Sequence, residues 1–185
     1  MALHRFEEKL EYSRGVREQT DALTIQSLLT GCTGVVKTDL TTDRAGIDYV
    51  ATLRNGATVY IDAKTRTPGC ARYWRQGPEL ALERWSVRPA GKYATTQARQ
   101  KTGWTLSEAS HVDYILFTFA PVDSSLVFLY PYQLLRVTFR RMLPEWAQLY
   151  KKDVQDSGSW ESECLFVPES VVWAEMRHSM CAEAA

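Results

Sequence analysis

Apolar positions along this 185-residue chain alternate between helical and strand spacing, which predicts a mixed order of helices and strands. Residues 4 to 30 place apolar side chains at helical spacing, and Gly31 follows as a plausible stop. The later elements, in chain order, are a strand at 34–38, a hairpin at 47–53 and 57–65, a loop-rich region at 67–94 with a strand pattern at 80–87, and a helix at 94–109 in which Gly103 argues for a break. Strands at 114–119 and 126–131 follow, then an amphipathic helix at 132–150 interrupted by Pro144, and short strands or packing segments at 165–167 and 171–173. This order is typical of an α/β fold in one domain.

The hairpin carries charged residues at an unusual place. Asn55-Gly56 suits its tight turn, because this pair tolerates positive φ. Side chains alternate along a strand, so Asp62 and Lys64 share one face, and the turn brings Asp48 alongside. Two close carboxylates resist double ionisation unless a cation lies between them, and carboxylate oxygens with open positions suit Mg²⁺. The lysine can then orient an attacking water and stabilise developing charge on a phosphodiester.

Composition sets the surroundings in which this chemistry would occur. The chain is 45% hydrophobic and 24% charged, which is ordinary for a globular protein, and its length suits one domain over residues 1–185. No apolar run approaches the roughly 18 residues of a membrane span, and the charged N-terminus lacks a signal peptide core. The four cysteines are scattered, which indicates reduced thiols and not a zinc site or disulfide frame. We therefore expect a cytoplasmic protein without membrane partners.

A basic segment is hidden within the overall charge balance. Residues 64–101 contain nine Lys or Arg against two Glu, so the segment carries +7 and the rest of the chain −7. Lys and Arg interleaved with Trp and Tyr suit a polyanion, because the cations neutralise phosphates and the rings can stack on bases. A solvated loop whose charges serve solubility is the alternative. Within this segment Glu83 could extend the acidic cluster, although pairing with Arg84 or Arg88 is the simpler expectation.

The segments GID (46–48) and IDAK (61–64) together resemble the PD-(D/E)XK nuclease superfamily, which has the restriction-endonuclease-like fold. Asp48 matches the first acidic residue of the superfamily, while Asp62 and Lys64 match its (D/E)-x-K motif. The proline that gives the motif its name is absent. Asp-x-Lys alone is common and is most often a strand end or an internal ion pair. Its combination with Gly-x-Asp and a tight turn is much less common.

The resemblance implies a core of helix, three strands, helix and strand at about residues 5–120, with a mixed central sheet flanked by helices and a C-terminal extension at about 121–185. It also implies a Mg²⁺-dependent deoxyribonuclease in which Mn²⁺ can substitute. Asp48, Asp62 and the backbone carbonyl of Ala63 would bind the metal, and Lys64 would position the attacking water.

Some branches, such as those resembling Holliday junction resolvases, add a glutamate from the first helix. Glu18 is the best match here, as a catalytic and metal-binding residue, and Glu11 and Asp21 are competitors on roughly the same helix face.

DNA is the partner that this resemblance implies. The residues expected to hold its phosphates are Arg66, Arg72, Arg75, Arg88, Lys92, Arg99 and Lys101. A homodimer would let each site cut one strand of a duplex. Two other interpretations stay open: a catalytically inactive member that binds nucleic acid or a protein partner, and an unrelated α/β enzyme with a chance motif.

Overall fold

Two β-sheets and three helices make up the computed structural model, which describes residues 16–39, 46–66, 68–88, 100–119, 126–156 and 160–183. The helices are α1 (Val16–Leu28), α2 (Tyr132–Leu149) and α3 (Glu169–Glu183). The strands are β1 (Cys32–Lys37), β2 (Tyr49–Leu53), β3 (Thr58–Thr65), β4 (Glu79–Arg88), β5 (Lys101–Thr102), β6 (Tyr114–Thr118), β7 (Val127–Pro131), β8 (Lys151–Asp156) and β9 (Glu161–Pro168). Short 3₁₀ helices cover Pro68–Tyr73 and Trp104–Leu106.

The first sheet has the strand order β1-β2-β3-β6-β7. Its β3–β6 pair is parallel and its other pairs are antiparallel, so the sheet is mixed. On one face, Ile25 of α1 packs with Ile61 and Leu116. On the other face, Ile115 and Phe117 of β6 join the larger core together with α2 and α3. The prediction of a mixed α/β fold is confirmed, and the restriction-endonuclease-like core stays a prediction.

The second sheet has the antiparallel order β5-β4-β9-β8. Leu80 and Leu82 of β4 lie opposite Val167 and Leu165 of β9, and all four side chains are fully buried. They belong to the same core cluster as Phe117, so the two sheets share one core. Along the chain, β4 and β5 lie between the parallel neighbours β3 and β6, and the crossover between those strands therefore passes through the second sheet.

The hairpin prediction is confirmed. β2 and β3 pair around the turn at residues 54–56, where Gly56 has a φ of 81°. The side-chain oxygen of Asn55 accepts a hydrogen bond from the Ala57 N–H at 3.0 Å. Only a residue without a Cβ adopts this positive φ without strain, so the turn fixes the register of the two strands.

The first part of the chain also agrees with the sequence patterns where it is described. The predicted helix at 4–30 is observed as Val16–Leu28, and residues 4–15 lie outside the described residues. Gly31 follows the helix with a φ of 78°, as expected for a helix stop. The strand patterns at 80–87, 114–119 and 126–131 are observed as β4, β6 and β7.

Three local predictions were wrong. In the described part of 94–109, residues 100–109 contain a two-residue strand and a 3₁₀ turn but no α-helix, because Gly103 packs against the backbone of β4. α2 runs through Pro144 without interruption, and this proline is solvent-exposed. For residues 171–173 the strand alternative was wrong, because these residues belong to α3 and a three-residue apolar run does not distinguish the two periods. The alternative of a packing segment is confirmed, since Val172 is fully buried in the core. No described helix is long and apolar enough to cross a membrane.

Candidate active site

Asp48 is held across the hairpin by the backbone of β3. The register pairs Tyr49 with Ile61, which places Asp48, one residue earlier, opposite Asp62. The Ala63 N–H donates a hydrogen bond to Oδ2 of Asp48 at 2.6 Å. This bond fixes the first acidic residue beside the strand that carries the predicted Asp-x-Lys motif. A large separation of Asp48 and Asp62 would have identified the motif as a chance one, and the hairpin places the two residues opposite each other.

Asp62 and Lys64 form an ion pair on the same face of β3. The Nζ of Lys64 lies 2.7 Å from Oδ1 of Asp62, as expected for side chains two residues apart on a strand. The Asp62 side chain is 8% exposed and the Lys64 side chain 31% exposed. In the parallel ladder these residues lie beside Ile115 and Phe117, whose side chains enter the core between the sheets. The pair therefore lies at the margin of that core.

The charge state of Lys64 follows from its surroundings. Burial of the ammonium group disfavours its charged form, but the charge and the hydrogen bond of Asp62, with the charges of Asp48 and Glu83, outweigh this effect and raise the pKa of Lys64. Lys64 is therefore protonated at neutral pH. It can donate hydrogen bonds and balance negative charge, but it cannot act as a base.

A third element reaches Lys64 from the segment after β5. The ammonium lies 5.6 Å from the centroid of the Trp104 ring, which is within cation–π range. The backbone N–H of Trp104 donates a hydrogen bond to Oε2 of Glu83 at 2.9 Å, and the Ser86 hydroxyl donates to the same oxygen at 2.7 Å. Glu83 thus connects β4 to the turn that carries the indole.

Tyr132, the first residue of α2, holds the other side of this turn. Its hydroxyl lies 2.7 Å from the carbonyl oxygens of both Trp104 and Ser107 and is shared between them. Burial is the main cause of a raised pKa for Tyr132, so the phenol remains a donor. No local sequence pattern pointed to Trp104 and Tyr132, because their contacts are made through the turn at residues 103–107.

The prediction that Glu83 pairs with Arg84 or Arg88 has a different outcome in the structure. The guanidinium of Arg84 lies 3.1 Å from Glu163 on β9. Arg88 lies 3.0 Å from Glu161 and 2.9 Å from Glu163. These ion pairs join β4 to its neighbour and leave Glu83 facing the Trp104 turn.

The acidic residues of the first helix have separate outcomes. Glu18 belongs to α1, but its side chain lies outside the described part of the structure, and Glu11 also lies outside it. Asp21 is buried and accepts a hydrogen bond from the Tyr49 hydroxyl at 3.1 Å. Tyr49 packs on the α1 face of the first sheet, opposite the face of Asp62, so Asp21 is engaged on that other face.

The predicted phosphate-binding residues divide by environment. Arg66 stacks on the Phe166 ring, with its guanidinium carbon 4.8 Å from the centroid. Arg88 is paired with β9 as described above. The residues that are solvent-exposed are Arg72, Arg75 and Lys101, and those outside the described residues are Lys92 and Arg99.

The donor set at the hairpin fits a hard divalent cation. Asp48 and Asp62 supply carboxylate oxygens from adjacent strands, and Mg²⁺ commonly takes only one or two carboxylates because it keeps several waters. Across the described ranges, no group of three or more His, Cys, Asp or Glu residues is placed to hold a metal ion. A site here would thus depend on the two aspartates, with the Ala63 carbonyl as an additional oxygen.

Comparison of the chain with protein-family models, with curated proteins and with solved structures finds no match in any of the three.

Proposed function

We propose that the protein is a Mg²⁺-dependent deoxyribonuclease that hydrolyses phosphodiester bonds at the end of the β2–β3 hairpin. One observation carries the proposal. The Asp48 carboxylate accepts the Ala63 N–H while Lys64 contacts Asp62, so two carboxylates and an ammonium group converge on one short stretch of β3. Carboxylates can hold the metal ion, and an ammonium group can stabilise the negative charge that develops on the phosphate, so these groups suit metal-assisted phosphodiester hydrolysis.

Each residue has a distinct role in this proposal. Asp48 and Asp62, with the Ala63 carbonyl, would hold Mg²⁺, which supplies Lewis-acid polarisation of the phosphoryl oxygen when bound. Lys64 is protonated, so it donates a hydrogen bond that orients the attacking water. The same charge stabilises the negative charge that develops on the phosphate in the transition state.

The DNA backbone would lie along the exposed cations after β3. Arg72, Arg75 and Lys101 are solvent-exposed. Arg66 directly follows the last residue of β3, two positions after Lys64, and its guanidinium lies over the Phe166 ring. Phosphate contacts of this kind position a duplex without reading its sequence. A cytoplasmic location, and a homodimer in which each site cuts one strand, belong to the same proposal.

Labelled DNA substrates test the activity directly. Single-stranded, duplex and branched DNA are incubated with the protein and Mg²⁺ or Mn²⁺, beside the variants Asp62→Asn and Asp113→Asn. Asp113 is an exposed acid that accepts a hydrogen bond from the Tyr60 N–H, so it controls for loss of a carboxylate on the same sheet. Divalent-dependent cleavage should disappear with Asp62→Asn alone. A parent protein that cleaves none of the substrates, and whose Tm does not respond to Mn²⁺, would sink the assignment.

A second candidate function, binding without catalysis, is favoured by the partners that both aspartates have within the protein. Lys64 contacts Asp62 at 2.7 Å, and the Ala63 N–H contacts Asp48 at 2.6 Å, so both carboxylates already have partners within the protein. A catalytically inactive protein would use this arrangement for structure and bind nucleic acid or a protein partner through its basic surface. DNA binding without metal binding or cleavage would favour this candidate.

A further inference from the structure

The turn at residues 103–107 is fixed from two sides although it contains only a short 3₁₀ helix. Its Gly103 N–H donates to the Arg84 carbonyl at 2.9 Å. A Cβ on Gly103 would lie 2.2 Å from the Glu83 carbonyl oxygen, so the backbones of the turn and of β4 are in direct contact. Glu83 of β4 accepts a hydrogen bond from the backbone N–H of Trp104. Tyr132 of α2 donates one to the backbone carbonyl of the same residue. The backbone of Trp104 is thus held by two separate elements of the fold, and its partly buried side chain packs against the core between the sheets.

This fixed indole meets a side chain that is intrinsically mobile. A lysine has a flexible four-carbon stem and a compact ammonium group with three rotatable donors, so a single ion pair leaves it several positions. The Nζ of Lys64 lies 2.7 Å from Asp62 and over the Trp104 ring, 5.6 Å from its centroid. Two contacts with different side chains restrict the ammonium group more than one contact does.

We propose that Trp104 is a positioning residue for Lys64, an inference that rests on the proposed nuclease function. The indole face, presented by the turn that Glu83 and Tyr132 hold, keeps the Lys64 ammonium group against Asp62, where it can orient the attacking water. Trp104 acts through Lys64 and contacts no reacting atom. Its contribution is therefore to the rate of the hydrolytic step and not to the binding of DNA.

Steady-state cleavage separates this role from a purely structural one. Trp104→Leu removes the ring face, whereas Trp104→Phe keeps a smaller one. We expect Trp104→Leu to lower kcat roughly tenfold at saturating Mg²⁺, the size of a single cation–π contact, with KM for DNA unchanged. Trp104→Phe should retain most of the activity. Trp173→Leu is the matched control, since Trp173 lies on α3 and is 39% exposed.

An NMR measurement tests the contact without any activity. With ¹³C-labelled lysine, and with the Lys64 signal assigned from its loss in Lys64→Met, the Hε protons of Lys64 should be shifted upfield by the indole ring current. That shift should vanish in Trp104→Leu and partly remain in Trp104→Phe. If Trp104→Leu does not fold, the parent spectrum alone decides, because Lys64 Hε signals at the usual lysine position would overturn the proposal.

The two possible failures are distinguishable. A parent protein that cleaves no DNA overturns the proposed function, and the positioning role falls with it, even if the ring-current shift is present. An active parent whose folded Trp104→Leu variant cleaves with the parent kcat overturns the positioning role alone.

Discussion

The Ala63 N–H donates a hydrogen bond to the Asp48 carboxylate at 2.6 Å, across the β2–β3 hairpin. Ala63 lies between Asp62 and Lys64, so this bond fixes the first acidic residue at the centre of the Asp-x-Lys motif. The bond has two consequences. It keeps the carboxylates of Asp48 and Asp62 close, so a positive charge must offset their repulsion. The stability of variants at Asp62 and Lys64 should therefore depend on whether a metal cation is present.

Asp62→Asn should abolish metal binding and cleavage while leaving the fold intact. The substitution removes an anion with almost no change in shape, and it relieves repulsion with Asp48 as it weakens the contact to Lys64. Because the relief of that repulsion offsets the weaker contact to Lys64, we expect a small net change in the free energy of unfolding, on the order of 1 kcal/mol. Calorimetric Mn²⁺ titration and urea denaturation measure the two effects. A large loss of stability with unchanged metal affinity would instead make Asp62 a structural residue.

Lys64→Ala should act in the opposite way on metal binding. Without the ammonium group, the buried Asp62 has lost its ion-pair partner and Asp48 a nearby positive charge, which we expect to cost about 1–2 kcal/mol of stability in the absence of metal. Mn²⁺ should restore this loss, because the cation takes over the neutralisation, and its affinity should equal or exceed that of the parent protein. Cleavage should be lost in this variant even with Mn²⁺ bound, because no ammonium group orients the attacking water.

Melting curves with and without Mn²⁺ on Lys64→Ala and the parent protein give the measurement. A variant that is destabilised equally in both conditions would show that the aspartates hold no cation, and it would leave Lys64 as half of an ordinary ion pair.

Local sequence patterns were sufficient for the hairpin but not for everything around it. The proximity of Asp48 and Asp62 follows from the turn at Asn55-Gly56, because a short loop fixes the register of both strands. The alternation along β3 likewise predicted that Asp62 and Lys64 share a face. Both relationships lie within the β2–β3 hairpin, where the turn and the alternation of side chains determine which residues are close.

The Lys64–Trp104 contact could not be found in the same way. It joins residues 64 and 104, and it depends on the turn at residues 103–107, which Glu83 of β4 and Tyr132 of α2 hold. Gly103 signalled a break in the predicted helix at 94–109, but its close approach to Glu83 depends on tertiary packing. Similarly, Arg88 was predicted to hold phosphate. Its pairing with Glu161 and Glu163 could not be predicted without knowing that β9 lies beside β4.

If the exposed Arg72 and Arg75 contact DNA phosphates, they should contribute to the salt dependence of DNA binding. Changing Arg72 and Arg75 together to Ala should lower the slope of log affinity against log salt by about 2 for duplex DNA, since each neutralised phosphate contributes roughly 0.9. Fluorescence anisotropy of labelled DNA over a range of salt concentrations measures the slope. The double variant Arg140→Ala and Arg141→Ala is the control, because these exposed arginines of α2 pair with acidic residues of the protein, Arg140 with Glu108 and Arg141 with Glu175 of α3. Equal slopes for all three proteins would assign Arg72 and Arg75 to solubility.

Gly103→Ala should separate the fold from the position of the Trp104 turn. The new Cβ would lie 2.2 Å from the Glu83 carbonyl oxygen, which is backbone and cannot rotate away, so the turn must move off β4. We expect a loss of about 1–3 kcal/mol in the free energy of unfolding, as for overpacked sites, together with lower cleavage. Gly34→Ala in β1 is the matched control, because no atom lies within 4 Å of its added Cβ. Urea denaturation of both variants gives the comparison. If Gly103→Ala is as stable as Gly34→Ala, the turn does not pack against β4 as described, and the fixed placement of Trp104 is lost with it.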